Sequence, residues 1–234
     1  MADHARIHVG TSGFSYAEWK PAFYPEHVKK AGMLFFYANQ LPSVELNNTF
    51  YRMPSEKIVT AWSEQVPDTF RFAIKATMGT TWSNKRVDCG ERLARLFQVL
   101  APLGSKLGCV FYQLPKSVMC DLHVLRKFLE DQPAGIKTAF EFTHDSWHNP
   151  AVFELLHEHG ATVVASDKDD ADEPELTVGA PWVYLRLRRS LYGDDELRRW
   201  RDRIHSAGVG DAFVFFKHED SCAGPALARR FLDL

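Results

Sequence analysis

The chain lacks most of the features that settle a protein's class at a glance, and each absence narrows the field. No apolar run approaches the roughly 20 residues needed to span a bilayer, so no membrane-spanning segment is expected. Cysteine is scarce. Cys89, Cys109, Cys120 and Cys222 are the only four, and none forms a C-x-x-C, which argues against a zinc ribbon or a thioredoxin-like motif. They read as reduced thiols of a cytoplasmic protein. The net charge is only -2, so no global positive field is available to hold nucleic acid or an anionic membrane surface. No Gly/Ser-rich linker or low-complexity stretch interrupts the 234 residues, and positions 1–6 lead straight into a strand-like run without a signal-peptide pattern. With 45% hydrophobic and 25% charged residues, composition is that of an ordinary globular chain, and a single domain over 1–234 is expected.

What the chain does have is a recurring alternation. Eight short apolar runs occur at 7–13, 43–50, 70–76, 107–114, 137–142, 162–167, 182–188 and 212–218. Amphipathic stretches at 33–40, 56–65, 91–101, 121–131, 150–159, 194–205 and 225–234 separate or follow them. Asn149-Pro150 is a cap followed by proline at the first helical position, with Gly160 as the stop. Only the connection over 168–181 is acidic and without helical pattern, and it reads as a loop. Strands alternating with helices predict a parallel sheet. An open doubly wound sheet and a closed barrel both fit that pattern; the count of eight within one domain favours a compact TIM-like α/β barrel.

In such a barrel the site lies at the C-terminal ends of the strands. Those ends are polar here: Glu45 and Asn47, Lys75, Gln113, Glu141 with His144 and Trp147 just beyond, Asp167, Arg186 and Arg188, then Lys217, His218, Glu219 and Asp220. Parallel strands normally read as Val/Ile/Leu runs, because both faces are buried. An internal ion network that merely closes the barrel would explain the charges, but apolar residues often do that as well or better. A ligand pocket is the better explanation.

The chemistry of that pocket stays open. Glu45 and Glu141, with Asp167, are candidates for proton transfer, as in glycoside hydrolysis. Lys75 or Lys217 could form a Schiff base, but acids among the candidate neighbours are expected to hold either amine protonated and inert. Glu141, His144, Asp167, His218, Glu219 and Asp220 are metal-competent types without any tight ligand spacing. Metal-assisted phosphoester hydrolysis is therefore an alternative, but no metal or cofactor is assigned. Lys75, Arg186, Arg188 and Lys217 point to a phosphate or carboxylate. With Glu219 counted, four acids balance these four cations, so placement rather than net field must select the ligand. The expectation is an anion beside Arg186 and Lys75, with the acids on the opposite wall and Asn47 and Gln113 orienting the ligand.

Three further features have plain readings. Gly10-Thr11-Ser12-Gly13 is a tight strand exit before it is an anion nest. Phe14, Tyr16, Trp19, Phe23 and Tyr24 either floor a sugar or base pocket or cover a barrel end. Arg198, Arg199, Arg201 and Arg203, interleaved with Asp194, Asp195, Glu196 and Asp202, read as a solvated helix face rather than a nucleic-acid contact.

Several blocks resemble a known family. Val9-Gly10-Thr11-Ser12-Gly13-Phe14-Ser15-Tyr16 with Trp19 and Phe23-Tyr24-Pro25 is similar to the YecE-like family, domain of unknown function 72. So are Val44-Glu45-Leu46-Asn47-Asn48-Thr49-Phe50-Tyr51 with Pro54 and Trp62, then Phe70, Phe72 and Lys75, and Gln113-Leu114-Pro115. Glu141-Phe142-Thr143-His144-Asp145-Ser146-Trp147 fits a later block, except that Thr143 stands where the family usually carries arginine. An anion contact made there by other members does not carry over. Tyr184-Leu185-Arg186-Leu187-Arg188-Arg189 and Phe216-Lys217-His218-Glu219-Asp220 match one branch of the family. The resemblance spans roughly 7–233 and implies a TIM-barrel-like fold without implying an activity. An enzyme acting on a small, polar, anionic ligand is the leading expectation. A non-catalytic metabolite- or nucleic-acid-binding adaptor is the alternative.

Overall fold

The structure, a computed structural model, describes residues 5–81, 89–176, 180–217 and 222–234. Eight strands, β1 (Arg6–Ser12), β2 (Ser43–Leu46), β3 (Arg71–Lys75), β4 (Leu107–Leu114), β5 (Thr138–Phe142), β6 (Thr162–Asp167), β7 (Trp182–Leu187) and β8 (Asp211–Phe216), pair in parallel in chain order. The last strand pairs back onto the first, from Arg6 opposite Asp211 to Thr11 opposite Phe216, so the sheet closes and has no free edge. The helices are α1 (Met33–Ala38), α2 (Glu56–Glu64), α3 (Met78–Thr81), α4 (Cys89–Leu100), α5 (Leu122–Glu130), α6 (Pro150–Glu158), α7 (Asp194–Ser206) and α8 (Ala223–Asp233). The chain is therefore a TIM-like α/β barrel. Within the loop after β6, residues 168–176 are described and contain no helix.

Local chemistry starts and stops the helices where the sequence implies. Ser55 accepts from the Ile58 amide, Asp121 from the amides of His123 and Val124, and Asn149 from that of Val152. Each cap of this kind contributes about 1 kcal/mol. Gly160 ends the α6 turn with φ +63°, where a Cβ would be strained. In α7, Arg198 pairs with Asp195 and Arg203 with Glu173, as a solvated charged face does.

One strand is shorter than its apolar run. After Leu46 the chain bends into a 3-10 turn, Asn48–Phe50, instead of continuing. Asparagines favour such turns by offering local hydrogen bonds. Thr49 secures this one by donating to the carbonyls of Leu46 (2.9 Å) and Lys75 (2.6 Å). The turn takes Asn47 off the strand and lays Phe50 over Lys75.

Alternation splits the strand residues between two cores. Ala73, Cys109, Phe111, Ala139, Val164, Trp182, Tyr184, Phe213 and Phe215 pack together and fill the lumen. Their sequence neighbours face the helices; Tyr112, for example, meets Phe128 of α5 edge-on at 4.9 Å. The lumen is thus packed apolar below and polar only near the C-terminal mouth. One seam is incomplete there. The β5–β6 pairing comprises Ala139 with Thr162 and Phe140 with Val163, and ends before Glu141.

Candidate functional site

Continuing each lumen face by two residues reaches the site. Glu45 on β2, Lys75 on β3, Gln113 on β4, Glu141 on β5 and Arg186 on β7 share the parity of the lumen residues. Arg188 and Lys217 extend the same faces of β7 and β8 past the strand ends.

Glu45 is fully buried. Ser12, Asn47 and Tyr184 each donate to its carboxylate at 2.7 Å, and Arg186 Nη2 does so at 3.0 Å. Burial opposes ionisation, but Arg186 and the three hydrogen bonds outweigh it and hold the carboxyl below its ordinary value. An acid that accepts four hydrogen bonds, three of them on Oε1, and has a lowered pKa fits an anchor for Arg186 better than a proton donor. Arg186 is 3% exposed and donates its other terminal nitrogen to Glu141 Oε2 at 3.1 Å. Burial disfavours its charge, while Glu45 and Glu141 more than compensate and raise its pKa. Among the described residues its Nε, also buried, has no partner, nor have Asn47 Oδ1 and Ser166 Oγ.

Above this floor the groups are less engaged. Arg188 approaches Glu141 Oε1 only to 3.7 Å, and its side chain is 25% exposed. Lys75, 9% exposed, donates to Gln113 Oε1 at 2.7 Å, and Gln113 donates in turn to Glu141 Oε2 at 2.6 Å. The Phe50 ring lies 4.2 Å and the Phe111 ring 5.5 Å from the Lys75 Nζ. Desolvation first, then the Arg186 charge, lower the Lys75 pKa from 10.5 to about 8, against the opposing pull of Glu45 and Glu141. Both acids still favour the charged amine, as the sequence suggests, but a neutral amide stands between it and Glu141, and burial and Arg186 pull the other way.

Other expected members lie elsewhere. Asp167 has the opposite parity and faces the helix layer, where Arg189 Nε (2.6 Å) and the Tyr192 hydroxyl (3.0 Å) hold its carboxylate. It does not join Glu45 and Glu141. Trp147 is buried on the outer face, stacked on Phe142 at 4.7 Å and donating to the Val118 carbonyl. His144 caps its own turn, with Nδ1 accepting from the Ser146 amide at 3.1 Å. Thr143 donates to the Leu114 carbonyl. His218, Glu219 and Asp220 lie outside the described residues. The expected arrangement of acids opposite an anion site is also corrected, since both acids clamp Arg186. Among the described residues, two carboxylates, Glu45 and Glu141, face four cations, Lys75, Arg186, Arg188 and Lys217. No group of three His, Cys, Asp or Glu side chains among those residues is arranged to hold a metal.

Ser12, Tyr184 and Phe50 were not foreseen as members. Tyr184 was within reach, since it shares the face of Arg186 two residues away. Of the early aromatics, Trp19, Phe23 and Tyr24 are buried in the core, whereas Phe14 and Tyr16 line a cavity of about 410 Å³ with Asn47 and Trp62.

Comparisons with known proteins agree with this architecture. The family model described as "Protein of unknown function DUF72" matches residues 8–234. YunF of Bacillus subtilis is 28% identical over 156 residues, 63% of this chain and 54% of that protein. YecE of Escherichia coli K12 is 27% identical over 169 residues, 69% of this chain and 59% of that protein. The matched stretches thus span between half and three fifths of these relatives. A DUF72 family protein from Thermotoga maritima MSB8 superimposes with a TM-score of 0.79 at 26% identity, covering 97% of this chain and 98% of that one. One from Enterococcus faecalis V583 has the same fold, with a TM-score of 0.77 at 21% identity over 99% of both chains. The family-model match over nearly the whole chain shows that the chain belongs to the YecE-like DUF72 family, and the closed eight-stranded barrel agrees with it.

Proposed function

We propose that this barrel is an enzyme that binds a small polar anion at its C-terminal mouth, with Arg188 and Lys217 meeting the negative charge beside Lys75. The observation that carries the reading is the surplus, among the described residues, of cations over the two carboxylates. Arg186 is occupied by Glu45 and Glu141, which leaves three further cations with one loose ion pair between them. Converging cations without matching acids are stabilised when a phosphate or carboxylate arrives, and arginine suits bidentate contact with either. Asn47 and Gln113 would orient the ligand, and of the two described carboxylates Glu141 is the more exposed.

Calorimetric titration with inorganic phosphate and with a simple sugar phosphate tests this. Replacing Arg188 by alanine is expected to weaken binding by about 1.5–3 kcal/mol, the scale of a charged hydrogen bond. Arg186→Ala is the wrong probe, because it strands two buried carboxylates. Equal affinity in the native protein and an Arg188→Ala/Lys217→Ala variant would remove the reading. For a purely binding role, Glu141→Gln should change affinity; for an enzyme, it should abolish turnover and leave affinity nearly intact.

A further inference from the structure

We infer that Lys75 is a nucleophilic amine, and that the mouth takes a small carbonyl compound bearing a phosphate or carboxylate, which Lys75 joins as a Schiff base. The inference rests on the anion site proposed above and adds the reaction class.

Geometry carries it. A lysine beside a carboxylate is held as an inert ammonium. Here the hydrogen bond from Nζ goes to an amide oxygen, and the amide's nitrogen is turned to Glu141. Gln113 Oε1 can accept from an ammonium or, more weakly, from a neutral amine, so this contact does not demand the charged form. Phe50 and Phe111 flank the nitrogen and limit its hydration. Of the charged groups around it, Arg186 and Lys217 repel the ammonium, while Glu45 and Glu141 attract it, Glu141 across the Gln113 amide. With the pKa lowered to about 8, roughly one molecule in ten carries a free amine at pH 7. Burial of this kind is a recognised way of activating a lysine. Lys75 also keeps a path to the mouth that Glu45 lacks, being 9% rather than 0% exposed.

The step is balanced without any redox partner. The amine nitrogen attacks the carbonyl carbon, the C=O pair moves to oxygen, and a proton passes from nitrogen to that oxygen to give a carbinolamine. The nitrogen lone pair then forms C=N as the hydroxyl leaves with a second proton as water. Amine plus carbonyl gives imine plus water. The substrate's anionic group would sit with Arg188 and Lys217.

Borohydride trapping tests it on the full chain, with pyruvate and glyceraldehyde 3-phosphate as probes and uncharged glyceraldehyde as control. The expected result is a reduced one-probe adduct mapped to the Lys75 peptide and formed faster than on any surface lysine, whose free-amine fraction at pH 7 is roughly 300-fold lower. It should vanish in Lys75→Arg and slow in Arg188→Ala/Lys217→Ala. In the native protein its rate should rise with pH towards about 8 and level off, instead of climbing to 10.5. Gln113→Glu, which sets a carboxylate against the amine, should slow labelling at pH 7 by about tenfold or more. Adducts spread evenly over surface lysines and unchanged in Lys75→Arg would overturn the inference. If phosphate still binds in that case, the anion site stands and only the Schiff base falls. Loss of both would sink the site as well. Rapid labelling by uncharged glyceraldehyde alone would leave Lys75 reactive and refute the anionic substrate.

Discussion

The two ends of this barrel each carry an ion cluster, and they are built to different ends. At the N-terminal end, Asp211 is met by Arg6 Nε at 3.0 Å, Lys137 at 3.1 Å and His8 at 3.3 Å. One acid is surrounded by its partners, Arg6 reaches out into solvent, and His8 stacks on Phe213 at 4.7 Å to seal the lumen. At the C-terminal end, the acids are more deeply buried, and among the described residues Arg186 Nε, Asn47 Oδ1 and Ser166 Oγ are left without partners. Buried polar atoms are nearly always satisfied, and exceptions need a reason. The lower cluster is complete and closes a barrel. The upper one keeps unpartnered polar atoms among the described residues, which is the contrast that the proposed ligand site would explain.

The largest test of this contrast is stability. Glu45→Ala removes the anchor of a buried guanidinium and is expected to cost about 3–5 kcal/mol in urea unfolding. Asp211→Ala should cost only about 1 kcal/mol, because its more exposed partners can turn to water. Equal costs at the two ends would erase the distinction. Phosphate gives the next effect. At 100 times its dissociation constant it should stabilise the native protein by about 2.7 kcal/mol. Arg188→Ala/Lys217→Ala should lose that increment, and Arg6→Ala should keep it.

Acid and base titrations give smaller effects of predictable sign. The folded pKa of Lys75 lies below its ordinary 10.5, at about 8, so the unfolded chain binds more protons between those values. Raising pH across that window should therefore favour the native protein over Lys75→Met. Asp211 behaves as a paired acid. Burial works against its ionisation, Lys137, His8 and Arg6 more than offset it, and its folded pKa falls below 3.8. Its contribution is present above that value and is lost as pH falls through the folded one. His8 gives the smallest change. Desolvation lowers its pKa despite Asp211, so the native protein should lose ground to His8→Gln as pH drops below 6.5. Unfolding midpoints across pH, native against variant, read all three.

Much of this was open to reading before any coordinates. Ser55, Asp121, Asn149-Pro150 and Gly160 state where helices begin and end, because caps and positive φ are local demands. The strand at Leu107–Leu114 is legible to the residue, since its apolar run is long and its turns are clear. The 43–50 run misleads, because a 3-10 turn can be as apolar as a strand, and tertiary hydrogen bonds from Thr49 decide between them.

By itself, then, the sequence determined that eight strands alternate with helices and that their C-terminal ends are polar. Both facts lie in near-neighbour periodicity and residue type. It also determined that Glu45 and Asn47, or Arg186 and Arg188, have the same parity. It could not say which parity faces the lumen, since a period of two defines two faces without naming the inner one. Only closure of the barrel decided that, sending Asp167 outward to Arg189 and Tyr192 while Glu45, Glu141 and Arg186 met inside. Closure also set the stagger that inserts Gln113 between Lys75 and Glu141. Whether a lysine is an inert cation or a reactive amine depends on distance, desolvation and what stands between charges, and those quantities exist only once strands remote in sequence have come together.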